Sequence, residues 1–213
     1  LSRLAASYQA RQYCTVFLNI SKEESMTAFT TEKIDVEPWF DMELFMGVSQ
    51  ETRLGGDVMD RFMTLWKNWL PHLTVKGIDT GKIKYLLVAL DESVEQDVDK
   101  AWEGSPSNAF LYNALAQTMC MAAVHAVIPE VQDAGCAPAP KPTATLREAL
   151  EAEGIPYSND KDPILSRRYA VVTHYPFKGG CEICVLQSNC PKGQGQMEAT
   201  SVVLPGYEHP QQM

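Results

Sequence analysis

Three cysteines near the C-terminus, Cys181, Cys184 and Cys190, are spaced C-x2-C-x5-C and are followed by Pro191. Two thiols that close together can face one centre from a tight turn, and Gly179-Gly180 just before them frees the backbone to make it. The five-residue step is long enough for one helical turn to return a third sulfur. Thiols become thiolates where a metal or a positive charge holds them. The pattern therefore suits metal binding, with Cys181, Cys184 and Cys190 as expected ligands. Three sulfurs leave one position open, because a [4Fe–4S] cluster and a structural zinc both take four ligands. The chain offers Cys14, Cys120 and Cys136 as further thiols. Cys136 opens a Pro-rich stretch that can fold over the loop, and Cys14 borders an expected strand, so these two rank equally as the fourth ligand. His174, seven residues before Cys181, comes next. Cys120 lies between Met119 and Met121 and reads as a small core residue.

Zinc ribbons usually pair two C-x2-C knuckles, and this chain has one. The expected cofactor is thus a [4Fe–4S] cluster, with zinc as the alternative. Local charge points the same way. Lys161, Arg167, Arg168, Lys178 and Lys192 stand against Asp162 and Glu182 around the cysteines, whereas the whole chain carries a net charge of −9. A cluster held by four thiolates is anionic and suits a basic surround. The overall acidity argues against a general nucleic-acid-coating surface. Six cysteines could also form three disulfides, but that would need an exported protein. Leu1 opens the sequence, as in a processed or partial chain, and no n-region/h-region pattern remains to show an export signal. The expected location is cytoplasmic.

The cysteine spacing resembles three families. In endonuclease-III-type DNA glycosylases the same C-x2-C-x5-C loop follows a further upstream Cys; His174 stands at that place here, and the resemblance covers the loop alone. In the SPASM region of radical SAM enzymes another Cys follows after three residues; Gln194 occupies that position, and the chain has no C-x3-C-x2-C motif. The third likeness is to CRISPR-associated and helicase-linked RecB-like nucleases, which carry one Cys near the N-terminus and C-x2-C-x5-C near the C-terminus. Cys14 with Cys181, Cys184 and Cys190 is similar to that layout. The resemblance implies metal-binding acids at Asp79 and at Asp91-Glu92, although Ser93 stands where the family has Lys.

No phosphate-binding loop, dinucleotide fingerprint, zinc-protease helix, nucleophile elbow or calcium loop is present. The four histidines are scattered at positions 72, 125, 174 and 209. His125 reads as a satisfied core residue. Asn113, Gln117 and Cys120 read as a polar seam on one helix. With no catalytic constellation in view, the expectation is an iron–sulfur protein acting as a redox, electron-transfer or accessory subunit beside a protein partner. A metal-dependent nuclease using Asp79, Asp91 and Glu92, and a zinc-stapled structural module, are the alternatives.

The elements that must position these residues are legible as a helix-rich α/β or α+β chain with about three strands and a C-terminal cysteine-rich metal-binding loop. A helix is expected over 1–11 and a strand over 13–20, followed by a helix start at Ser21–Glu24. A short amphipathic segment spans 37–46. Gly55–Asp57 opens a helix to Leu70 with a wide core stripe of Met59, Met63, Trp66 and Leu70, flanked by Val58, Phe62 and Trp69. Residues 82–90 read as a central strand and 92–102 as a helix. A long helix capped by Ser107 runs to Ile128, and Thr145–Glu148 reads as a capping box with Gly154 as the stop. Residues 168–174 form the last expected strand. The apolar runs Leu86–Leu90 and Met119–Ile128 fall short of the ~20 residues of a membrane span. Residues 1–135 make a main body, 136–142 a Pro-rich connector, and 143–213 a C-terminal segment packed on the body as one domain.

Overall fold

The computed structural model describes residues 28–159, 163–190 and 192–194. The segments expected at 1–11, 13–20 and 21–24, together with Cys14, lie outside them. Within them the chain forms a mixed α/β fold of six helices and one antiparallel four-stranded sheet. The strands are β1 (Thr30–Lys33), β2 (Leu73–Asp79), β3 (Lys84–Leu90) and β4 (Ala170–His174). They lie in chain order across the sheet. The helices are α1 (Met42–Ser49), α2 (Gly56–Trp69), α3 (Glu92–Gly104), α4 (Pro106–Val127), α5 (Glu130–Ala134) and α6 (Ala144–Ala152).

Strand β3 is the axis of the fold. Its sequence Tyr-Leu-Leu-Val-Ala-Leu is apolar at every step, so both faces must be covered. Leu86, Val88 and Leu90 pack into one cluster with Phe45, Phe62, Trp69, Leu115 and Val131. Tyr85, Leu87 and Ala89 pack into another with Leu146, Leu150 and Tyr157. The sheet is therefore sandwiched between α6 and a larger helical layer.

Helix α4 is the spine of that larger layer. It has the length and mean hydropathy of a membrane span, at 22 residues and 1.2. Ten of its residues, from Ala109 to Val124, are buried inside the fold, as befits a core helix. Its cap is Ser105, which accepts from the Asn108 N–H, with Pro106 in the first turn. Ser107 was the expected cap; Pro106 shifts the start, because proline suits the first helical position. Thr143 likewise takes the capping role expected of Thr145, accepting from the Leu146 N–H.

Two further differences have physical causes. In α2 the buried residues are Phe62, Trp66 and Trp69, while Met63 is exposed. The aromatic residues win the core face because they bury more area and their indole N–H groups find partners. Trp66 donates to the Pro38 carbonyl and Trp69 to Asp97. The second difference is β2, whose Leu-Thr-Val-Lys-Gly-Ile-Asp was not expected as a strand. Lys76 and Gly77 in its middle blur its pattern, and pairing with β3 overrides local preference.

The start of β4 is tied to α3. The Arg168 guanidinium donates to both carboxylate oxygens of Asp99, at 2.7 and 3.3 Å, and its backbone N–H donates to Glu95.

Two outcomes follow. Leu87→Ala, in the middle of β3, should lower unfolding free energy in urea by about 2–5 kcal/mol; a loss below about 1 kcal/mol would contradict two-sided burial of this strand. The hydrogen bond from Arg168 holds the Asp99 carboxyl below its ordinary range. A depressed carboxylate stabilises the fold above its unfolded pKa of about 3.9 and ceases to do so as pH falls through the folded value. Asp99→Asn should therefore be less stable than wild type at neutral pH, with the difference closing under acid.

Candidate metal centre

The cysteine loop follows β4. A 3-10 turn at Cys181–Ile183 and another at Gln187–Asn189 bend it back on itself. The Cys184 N–H donates to the Cys181 carbonyl at 3.1 Å, and the Gln187 N–H donates to the Cys184 carbonyl at 3.1 Å. The Cys190 and Gln194 N–H groups continue the winding, donating to the carbonyls of Gln187 and Cys190. The three cysteines thus ride on one tightly wound segment. Gly193 closes it. A Cβ there would lie 2.7 Å from the Gln187 carbonyl oxygen, so a side chain would force two backbone segments apart.

The loop lies against the end of α5 and the Pro-rich connector. Cys136 joins Cys181, Cys184 and Cys190 around one cavity, whose walls also include Pro138, Gln187, Lys192 and Gly193. Cys136 lies in the field of the other three thiols and of Lys192. Burial pushes the Cys136 thiol above its ordinary range; Lys192 pulls it back, and Cys184, Cys181 and Cys190 push it further up. Among the described residues no three His, Cys, Asp or Glu side chains converge on a point that could hold a metal ion. The thiols border a shared space instead.

Two hydrogen bonds bracket Cys136. The Val185 N–H donates to the Ala139 carbonyl at 3.0 Å. The Lys192 ammonium donates to the Ala134 carbonyl at 2.6 Å. Each donor sits one or two residues after a cysteine of the loop, and the acceptors flank Cys136 on both sides. Lys192 and Gly193 were not singled out as site residues by the sequence. Lys192 was counted only among the basic residues around the cysteines, and Gly193 was not singled out for any role there.

The other candidates lie elsewhere. Cys120 is in the core, where its thiol donates to the Tyr169 carbonyl at 3.5 Å. Burial pushes that thiol up to about 12, so it stays protonated. His174 stacks on Tyr85 at 5.4 Å between ring centroids, and its buried Nδ1 has no partner among the described residues. The His125 Nε2 is also buried without a partner among them, unlike the satisfied core histidine expected, and burial pushes its imidazole below the ordinary range. The seam on α4 is partial. Asn113 accepts from the Tyr169 hydroxyl and Cys120 reaches the same residue's backbone, while Gln117 is exposed.

The acids implied by the nuclease resemblance are not brought together. Asp79 pairs across the β2–β3 turn with Lys84, whereas Leu73 pairs with Leu90 at the far end. Asp91 follows Leu90, so it lies about 20 Å from Asp79 at the rise of an extended strand. Asp79 is held below the ordinary carboxylate range by its hydrogen bond from Lys84. Burial pushes Asp91 up, but hydrogen bonds from Ser93 and His72 outweigh it and lower its carboxyl. Asp91 caps α3 through the Ser93 N–H and contacts His72 Nδ1 at 2.6 Å. These contacts account for both acids structurally.

No family model, no curated protein and no solved structure matches the chain.

The contrast between Cys120 and the loop predicts an order of reaction. In native, metal-free protein, iodoacetamide should label the exposed Cys136 well before Cys120, with sites read by mass spectrometry. Equal labelling of the two would contradict the burial described for α4.

Proposed function

We propose that the chain is an iron–sulfur protein in which Cys136, Cys181, Cys184 and Cys190 hold one [4Fe–4S] cluster, and that it works as a redox or accessory subunit beside a protein partner. The observation that supports this reading is the arrival of Cys136 at the cavity already bordered by the three loop thiols. It makes a donor set of four sulfurs from a motif that supplied three. A structural zinc needs its sulfurs about 2.3 Å from one point. In a cubane each thiolate meets a different iron, so the sulfurs surround a space. The thiols bordering a cavity suit the second arrangement better.

When bound, such a cluster supplies one-electron redox capacity. The protein's own residues fasten and shield it. The Val185 and Lys192 hydrogen bonds hold the connector against the loop. Gln187, Pro138 and Gly193 close the walls. Val185 and Leu186 leave apolar surface exposed beside Cys184, where a partner protein would dock. The reading implies a reducing compartment, such as the cytoplasm, where thiolates persist.

Anaerobically purified protein tests this directly. The expected result is a broad visible absorption that dithionite bleaches, with about four iron and four sulfide per chain. Colourless protein carrying one zinc would replace the cluster by a structural staple. Colourless, metal-free protein that cannot be reconstituted with iron and sulfide would remove the reading.

A further inference from the structure

Lys192 occupies an unusual place beside the four thiols. It lines the same cavity, yet its ammonium is turned to the last carbonyl of α5, that of Ala134, at 2.6 Å. The Gly135 N–H turns back to the Gln132 carbonyl at 3.0 Å, leaving the Ala134 carbonyl for the lysine. A cation at a helix C-terminus is favoured by the unpaired carbonyls there. Gly135 takes a left-handed conformation, with φ 64°, and a Cβ on it would lie 2.9 Å from the Lys192 ammonium. The lysine therefore sits against Gly135, the residue before Cys136. Its own backbone lies in the tight turn held by the Gln194 N–H on the Cys190 carbonyl and by Gly193 against Gln187. One side chain thus links the position of Cys190 to that of Cys136 and puts a positive charge beside the sulfurs.

We propose that Lys192 is a positioning residue for the fourth thiolate: it fixes Cys136 at the cluster and its charge offsets the negative charge of the four thiolates. This inference rests on the cluster reading above. Cys136 is the ligand that most needs such help. The other three come from one short loop, whereas Cys136 belongs to a separate, exposed segment. Loss of the lysine would free that segment on its α5 side, leaving it held beyond Cys136 by the Val185–Ala139 and Thr173–Pro138 bonds.

The test uses the full chain loaded with iron and sulfide, comparing wild type, Lys192→Met and Lys192→Arg. Two quantities are read: the rate of iron loss to a ferrous chelator, and the cluster's midpoint potential. Lys192→Met removes a charge-assisted hydrogen bond, so iron loss should be about tenfold faster. Removing a nearby positive charge should make the potential more negative, a change that simple loosening of a turn does not require. Lys192→Arg should recover both, because it restores charge and donor. A Lys192→Met protein that folds normally by circular dichroism but retains no iron is the extreme of the expected result. An unchanged rate or an unchanged potential in Lys192→Met overturns the assignment, as does failure of Lys192→Arg to recover them. If wild type itself binds no iron, the cluster reading fails rather than the lysine's part in it.

Discussion

Burial of β3 on both faces is the constraint from which the rest of the architecture follows. A strand with no polar face needs a layer of helices on each side of its sheet. The chain builds the larger layer first, from α1 to α5, then must cross to the opposite face to place α6. It crosses at the open edge of the sheet, along the Pro-rich connector. Ala137 still packs in the first layer, and the Pro138 carbonyl accepts from the Thr173 hydroxyl of β4 at 2.9 Å. The chain then returns as β4, pairs with β3 and runs out into the cysteine loop. The meeting of Cys136 with Cys181, Cys184 and Cys190 is thus a product of topology. The segment that leaves one layer and the segment that leaves the last strand share the same edge.

That origin explains why the four sulfurs divide three and one. The three loop thiols are set by local turns that short-range hydrogen bonds wind. Cys136 is set by the crossing itself, and its neighbours must be fastened to the loop from outside. The fasteners are a backbone N–H on one side and a lysine ammonium on the other. A cluster bound there would join the crossing to the loop covalently, in addition to its redox capacity. Local unfolding of either segment would then require opening the bound cluster, which would couple metal content to order at this sheet edge.

How much of this was legible in the sequence depended on range. The long apolar helix α4, the strand β3 and the loop spacing are local patterns and could be read directly. Helix caps were displaced by two residues at Ser105 and Thr143, in the first case because Pro106 sets the helix start. Strand β2 was missed because Gly77 and Lys76 interrupt its apolar pattern, while its ladder with β3 supplies the order that propensity lacks. The three loop cysteines were evident from spacing alone. The choice among Cys14, Cys136, His174 and Cys120 was not, because it depends on which edge of the sheet the connector crosses. Structure puts Cys136 at the cavity and Cys120 in the core; Cys14 lies outside the described residues. The separation of Asp79 from Asp91 was likewise invisible until the register of the β2–β3 hairpin was known.

The central claim is that Cys136 completes a four-thiolate centre with the loop. Iron and sulfide retention in single Cys→Ala variants at positions 14, 120, 136, 181, 184 and 190 measures it directly. The account predicts loss of the intact cluster in the variants at 136, 181, 184 and 190, and wild-type content in those at 14 and 120. A Cys136→Ala protein that keeps its full cluster while Cys14→Ala loses it would contradict the account.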